Sequence, residues 1–174
     1  MTQLHQLKPH EYNAAVMYYM AQAEQGASLA TMLSDSWLNL LKLMQTLDDT
    51  ALGYRYAPSK WTIADVFQHV MDEEKMMSFR ASQFAQQKTD ELWRYSEFFT
   101  PQSQTKHKSK VALIQEFAQV RQQIINLFGS FSPEQQMLMG SLSGNPASVR
   151  AIGWVIAGHE QHHVRVINTR YLGK

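Results

Sequence analysis

The sequence predicts an all-α protein, a four-helix bundle with a short helix ahead of it. Apolar residues recur at three- and four-residue spacings through four long stretches. Capping residues and turn formers punctuate those stretches. No alternating β-rich run is evident. At 174 residues the chain is expected to form a single domain over residues 1–174, large enough to bury a real core.

The first long stretch, Ser28 to Leu47, puts Leu29, Met32, Leu33, Trp37, Leu40, Leu41, Met44 and Leu47 on one stripe, with Ser28 as N-cap. The turn-rich DDTALGYRYAPSKW stops it. The second begins near Thr62, where Thr62 and Asp65 form a capping box with Asp in place of the usual Glu, and continues through IADVFQHVMDEEKMMSFRASQFA. The third, VALIQEFAQVRQQIINLFGSF, aligns Leu113, Phe117, Val120, Ile124, Leu127 and Phe128 and is expected to stop at Gly129. The fourth runs from its cap Ser148, after the turn SLSGNPA. PHEYNAAVMYYMAQA supplies the shorter leading helix. Between Gln86 and Lys108 lies a long connection of weak periodicity, more than a hairpin link needs. It can cross the bundle end, or cover a site there with Trp93, Tyr95, Phe98 and Phe99.

Composition excludes several classes of function. Hydrophobic residues make up 44% and charged residues 18%, too apolar a balance for a disordered chain. Net charge is +1, and the only basic cluster is the short KHKSK at Lys106 to Lys110, so no nucleic-acid partner is expected. The absence of cysteine removes disulfides, thiolate ligands and a cysteine nucleophile, and fits a reducing compartment. MTQLHQLKPHEY, with His5, Lys8 and Glu11, lacks the apolar core of a secretory signal. No stretch approaches the ~20 apolar residues of a membrane span. A cytoplasmic protein without a membrane partner is the expectation.

Chemistry concentrates in GHEQHHVRVI, where His159, His162 and His163 occupy three of five positions. On a helix His159 and His163 stand at i and i+4, one above the other, and can aim imidazole nitrogens at a common point. His162, at i+3, can replace His163 but cannot face inward together with it. In the second helix His69 lies beside the stripe of Val66, Val70 and Met77, with Asp72 and Glu73 at i+3 and i+4. One central histidine and two on the fourth helix make a facial set suited to zinc, nickel, iron or copper, with a position left open for catalysis. Spacing alone weighs this equally against packed or solvated histidines. His5, His10 and His107, in turns or termini, read as solvated, and Asp72 and Glu73 equally read as a charged surface. The ten methionines read as core filler.

Several stretches together resemble the DinB/YfiT-like superfamily of four-helix-bundle metalloenzymes. YRYAPSKWTIADVFQHVMDEE is similar to the family's Tyr-x-Pro-Gly-Lys-Trp-Ser lead into a helical histidine followed by an acidic pair. SFRASQFA follows as in a closer subgroup, SGNPASVRAIGWVIAGHEQHHVRVINTRYL resembles the family's ending, and KPHEYNAAVMYYMA its opening. The likeness spans almost the whole chain. It implies the metal ligands His69, His159 and His163, leaves His162 to orient a neighbour or face a partner, and implies a homodimer. Ser59 stands where the family more often has Gly, and LWRYSEFFTPQ replaces an acidic Gly-Phe-Asp-rich segment, so substrate does not carry over.

The expected chemistry follows from an open position on a divalent ion. Such an ion acidifies bound water or polarises a carbonyl, which suits hydrolysis of a small substrate. Glu73 or Asp72 is the candidate general base or a hydrogen-bond partner to His69. Glu160 is expected in a salt bridge or interface. Two alternatives stay open: transfer of a small thiol activated on the metal, and a non-catalytic, stress-related dimer in which the metal serves the fold.

Overall fold

The computed structural model describes residues 7–23, 27–88, 108–142 and 144–173. Most of the 86–108 connection, with the four aromatic residues expected to cover a site, lies outside these residues, as do His5 and His107.

The elements follow the sequence in order. A 3-10 turn at Pro9–Glu11 precedes α1 (Ala14–Met20), α2 (Leu29–Thr46), a short α3 (Asp49–Gly53) and α4 (Ile63–Ala85). Then come α5 (Lys110–Ser130), a short α6 (Pro133–Met137), the strands β1 (Met139–Leu142) and β2 (Asn145–Ser148), and α7 (Val149–Val166), which ends in a π-helical turn at Ile167–Tyr171. The four long helices form a bundle in which α7 packs against α2 and α4, and α5 packs against the same two helices. The short α1 lies on α7.

The caps read from the sequence are present. Ser28 accepts from the Thr31 N–H at 3.2 Å, and Ser148 from the Ala151 N–H at 3.1 Å. Thr62 and Asp65 exchange bonds of 3.1 and 3.0 Å, satisfying two N–H groups that the first turn leaves without partners. Asp48 caps α3 inside the stretch read as a turn.

Three local readings are corrected. α5 does not stop at Gly129 but runs to Ser130. Its end is set by the following Ser132–Pro133 step, because Pro133 at the first position of α6 biases Ser132 toward extended backbone. SLSGNPA is more than a turn. It belongs to an antiparallel hairpin in which Gly140 pairs with Ala147 and Leu142 with Asn145, and Gly144 takes the left-handed φ of +84° that such a tip needs. The leading helix is broken after Glu11. That carboxylate is drawn to the start of α7, accepting from Arg150 Nε at 2.7 Å, Ser148 Oγ at 2.8 Å and the Lys8 N–H at 3.0 Å. Burial alone would raise the Glu11 pKa, but these donors and the Arg150 charge bring it down to about 2.

The core has two apolar ends and a polar middle. At one end Leu33, Phe84, Ile124, Phe128, Ile152 and Trp154 pack together. At the other, Leu40, Met44, Ile63, Phe67, Phe117 and Ile167 do so. Between them Arg121 of α5 is buried and bonds to Glu74 of α4 and Glu160 of α7. Its other arm donates to Leu33 O at 3.0 Å and Ser36 Oγ at 2.9 Å on α2. One guanidinium thus ties all four long helices. Glu160 is therefore in a salt bridge, as expected.

Candidate metal centre

His69 is carried by the second turn of α4, and His159 and His163 by α7, the helix packed beside it. One nitrogen from each of the three comes within 4.8 Å of the other two. His159 Nε2 and His163 Nε2 are 3.1 Å apart. Two nitrogens on one tetrahedral zinc, at bonds of about 2.05 Å, stand roughly 3.3 Å apart, so the pair is already spaced for an ion between them. His159 is buried, whereas His69 and His163 are half-buried and give the set one solvent-facing side.

The rings are held by packing. Trp61 lies against His69 with centroids 4.8 Å apart. Tyr19 of α1 meets His159 edge-on at 5.1 Å, and the three imidazoles pack against one another at 4.5 to 5.1 Å. Tyr171, in the π-helical turn, donates to Trp61 O at 3.0 Å and fixes the backbone behind the His69 ring. α1 comes this close because residue 158 has no side chain: a Cβ there would lie 1.8 Å from Tyr19 O. The Nδ1 atoms of His159 and His163 are sealed from solvent and have no hydrogen-bond partner among the described residues.

Burial makes all three imidazoles reluctant to take a proton. The His69 pKa falls to about 4 through desolvation. His163 falls to about 3 and His159 to about 2, through desolvation and then through the charges the neighbouring rings would carry. At neutral pH the set is three uncharged nitrogen donors, the form that binds a divalent ion. The donor type, spacing and protonation all fit zinc, nickel or iron.

The doublet is resolved by direction. His162 turns toward α1, where its Nδ1 lies 3.2 Å from Tyr18 OH, and it is not one of the three converging residues. The acidic pair also divides. Asp72 accepts from Gln68 at 3.0 Å and faces Lys75 at 3.8 Å, in a surface network with Lys108 and Glu116. Glu73 stays on the histidine side of α4, half-buried, its pKa raised by desolvation against the pull of Arg80, and it acts electrostatically on Tyr19. His10 is exposed.

Trp61, Tyr19 and Arg80 were not singled out from the sequence. Trp61 lay within the quoted Lys-Trp motif, and Arg80 stands eleven residues after His69, just over three full turns and so nearly the same helix azimuth.

Comparison with known proteins bears on the fold. The family model of the DinB superfamily matches residues 32–167, and the chain belongs to that superfamily. Among solved structures it is similar to YfiT from Bacillus subtilis, described as a probable metal-dependent hydrolase with an unusual four-helix bundle topology. The two share 14% identity at a TM-score of 0.66, over 96% of this chain and 94% of that one. At that identity the likeness shows the fold. No curated protein matches the chain.

Proposed function

We propose that this chain is a metal-dependent hydrolase of a small substrate, with His69, His159 and His163 holding one divalent ion and Glu73 as general base. The observation that carries the reading is the convergence of three uncharged imidazole nitrogens within 4.8 Å on a half-buried face. The neighbouring fold's description as metal-dependent supports it. When bound, a divalent ion supplies Lewis acidity and lowers the pKa of water at the open position.

The chain's own groups supply the rest. Glu73 is one helical turn beyond His69 and its carboxyl is pushed up by burial, toward the range in which a carboxylate both accepts and returns a proton. Tyr19, raised by desolvation, keeps its phenolic proton and can donate to a developing negative charge. Trp61 and Tyr19 exclude water from two sides of the imidazoles. Asp72, held by Gln68 and Lys75, serves only to orient α4 against α5 in this reading.

The reading includes a cytoplasmic homodimer with neither nucleic acid nor membrane as partner. Among the described residues no helix is long and apolar enough to cross a membrane. Exposed Met17, Tyr18, Leu38 and Phe79 offer apolar surface that pairing would cover, and sedimentation velocity tests it.

The deciding experiment is elemental analysis of protein made without a polyhistidine tag. About one divalent ion per chain is expected in wild type and in H162A, and almost none in H69A or H163A. Hydrolysis of ester and amide probes should then follow metal content and fall in E73Q with metal retained. Activity that appears only when a small thiol is added would replace hydrolysis with thiol transfer. Absence of metal after reconstitution would overturn the reading.

A further inference from the structure

Arg80 is 7% exposed, and among the described residues it makes no hydrogen bond or ion pair. A guanidinium stays charged, so burying one without a partner is costly. Elsewhere the chain avoids that cost. Arg121 holds Glu74 and Glu160, and Arg150 holds Glu11, each at contact distance. Its nitrogens are not sealed from water, so the stem is packed away while the head meets a narrow opening to solvent and no protein partner among the described residues.

Its position gives the unpaired charge a direction. On α4, Arg80 shares the azimuth of His69 and Glu73, about 20° from the former and about 20° from the latter. Helical side chains lean toward the N-terminus, here toward the histidines. Glu73, seven residues earlier, is the described charge that acts on Arg80, which fits a guanidinium leaning back along this stripe. Arg80 and His69 are about 16 Å apart along the axis, and the lean leaves on the order of 10 Å between the guanidinium and the point where the imidazoles converge.

We propose that Arg80 is a substrate-binding residue that captures a carboxylate at the far end of the molecule processed at the histidine centre. This rests on the metal-site reading above and adds the substrate class: a small molecule carrying a carboxylate some six to eight atoms from the reacting group. A guanidinium grips a carboxylate through two parallel hydrogen bonds. A monoanion suits the place better than a phosphate dianion, since Glu73 lies between the two ends and repels the higher charge more strongly.

The test uses zinc-reconstituted protein and hydroxamates, which bind zinc whatever they carry at the other end. Suberic acid monohydroxamate and its methyl ester have the same length and differ in one distal charge. Titration calorimetry should show the acid binding wild type about tenfold or more tighter than the ester, with the succinic analogue gaining less. In R80M, or in R80Q if R80M does not fold, acid and ester should bind alike, and R80K should restore part of the preference. Equal binding of acid and ester to wild type, or a preference that survives loss of the guanidinium, would overturn the proposal. Failure of the ester itself to bind would show that the metal reading is at fault, and the proposal would fall with it.

Discussion

Along α4 His69 and Glu74 are five residues apart, and along α7 His159 and Glu160 are neighbours, yet the two groups they form solve burial in opposite ways. The Arg121 cluster takes ionisable groups out of water around one guanidinium, which holds the Glu74 and Glu160 carboxyls, a serine hydroxyl and a backbone carbonyl. Burial pushes both glutamates upward while Arg121 pulls them down. The histidine set carries no charge, and one nitrogen of each ring lies within 4.8 Å of the other two. One cluster compensates its charge from within, although Glu74 Oε2, Glu160 Oε1 and Arg121 Nε have no hydrogen-bond partner among the described residues. The other presents lone pairs to something from outside. Burial differs as well: the Arg121 cluster is closed to water, whereas His69 and His163 are half-buried.

The largest effect should come from breaking the Arg121 cluster. R121M leaves two carboxylates facing each other without a cation and should cost about 3–5 kcal/mol in urea unfolding. The triple change E74L/R121M/E160L should recover most of that, because apolar groups of similar volume replace a buried ion pair at little cost. If the triple variant stays as unstable as R121M, the cluster contributes more than mutual compensation.

A middling effect is expected where α1 seals the histidine side. G158A places a methyl group 1.8 Å from Tyr19 O, and α1 must move. The expected loss is about 1–3 kcal/mol, with weaker metal retention, and no change in the Arg121 cluster. Retention of wild-type stability would mean that α1 can shift freely.

Acid should distinguish the two clusters next. The folded pKa values of the histidines lie below the ordinary 6.5, so the unfolded chain binds protons first as pH falls. Their contribution is whole above pH 6.5 and declines toward pH 4. Each neutral imidazole adds up to about 1.4 kcal/mol per pH unit to that slope. Metal-free H163A should therefore show a slope about 1 kcal/mol per pH unit shallower than wild type between pH 6 and 4.5. Identical slopes would mean that His163 is already protonated when folded. The smallest effect belongs to H162A, which loses a hydrogen bond to Tyr18 and edge-on ring contacts with Tyr18, Tyr19 and His163, and should stay within about 0.5 kcal/mol of wild type.

The four long helices and their caps were legible because each is a local pattern: an apolar stripe, and Ser28, Thr62 or Ser148 in front of it. The three histidines were legible as a set because two share one helix face and the third sits on a similar apolar edge. The hairpin was not, since MGSL and NPAS show no β-branched alternation and Pro146 argues against a strand. The Arg121 cluster was also hidden. Glu74 is four residues after Val70, Arg121 four after Phe117 and Glu160 four after Ile156, so each charge interrupts an apolar stripe. That interruption is a sign of inward charge, but which three meet depends on how the helices stack. Asp72 and Glu73 looked equivalent in the sequence and are parted by the 100° that separates adjacent helical residues.

Residues 69 and 159 are ninety positions apart, and this spacing has a consequence for chain statistics. An ion gripping both closes most of the bundle into one loop, and closing a loop of that length costs an unfolded chain roughly 4–5 kcal/mol of entropy. The folded chain has already met that cost, so the ion should bind it far better than the unfolded one. Mass action then turns the free ion into a stabiliser worth about 2.7 kcal/mol at a hundredfold excess over Kd. On the proposed metal reading, the melting temperature should become a gauge of free metal, and a chelator should shorten the protein's lifetime without touching a single hydrophobic contact.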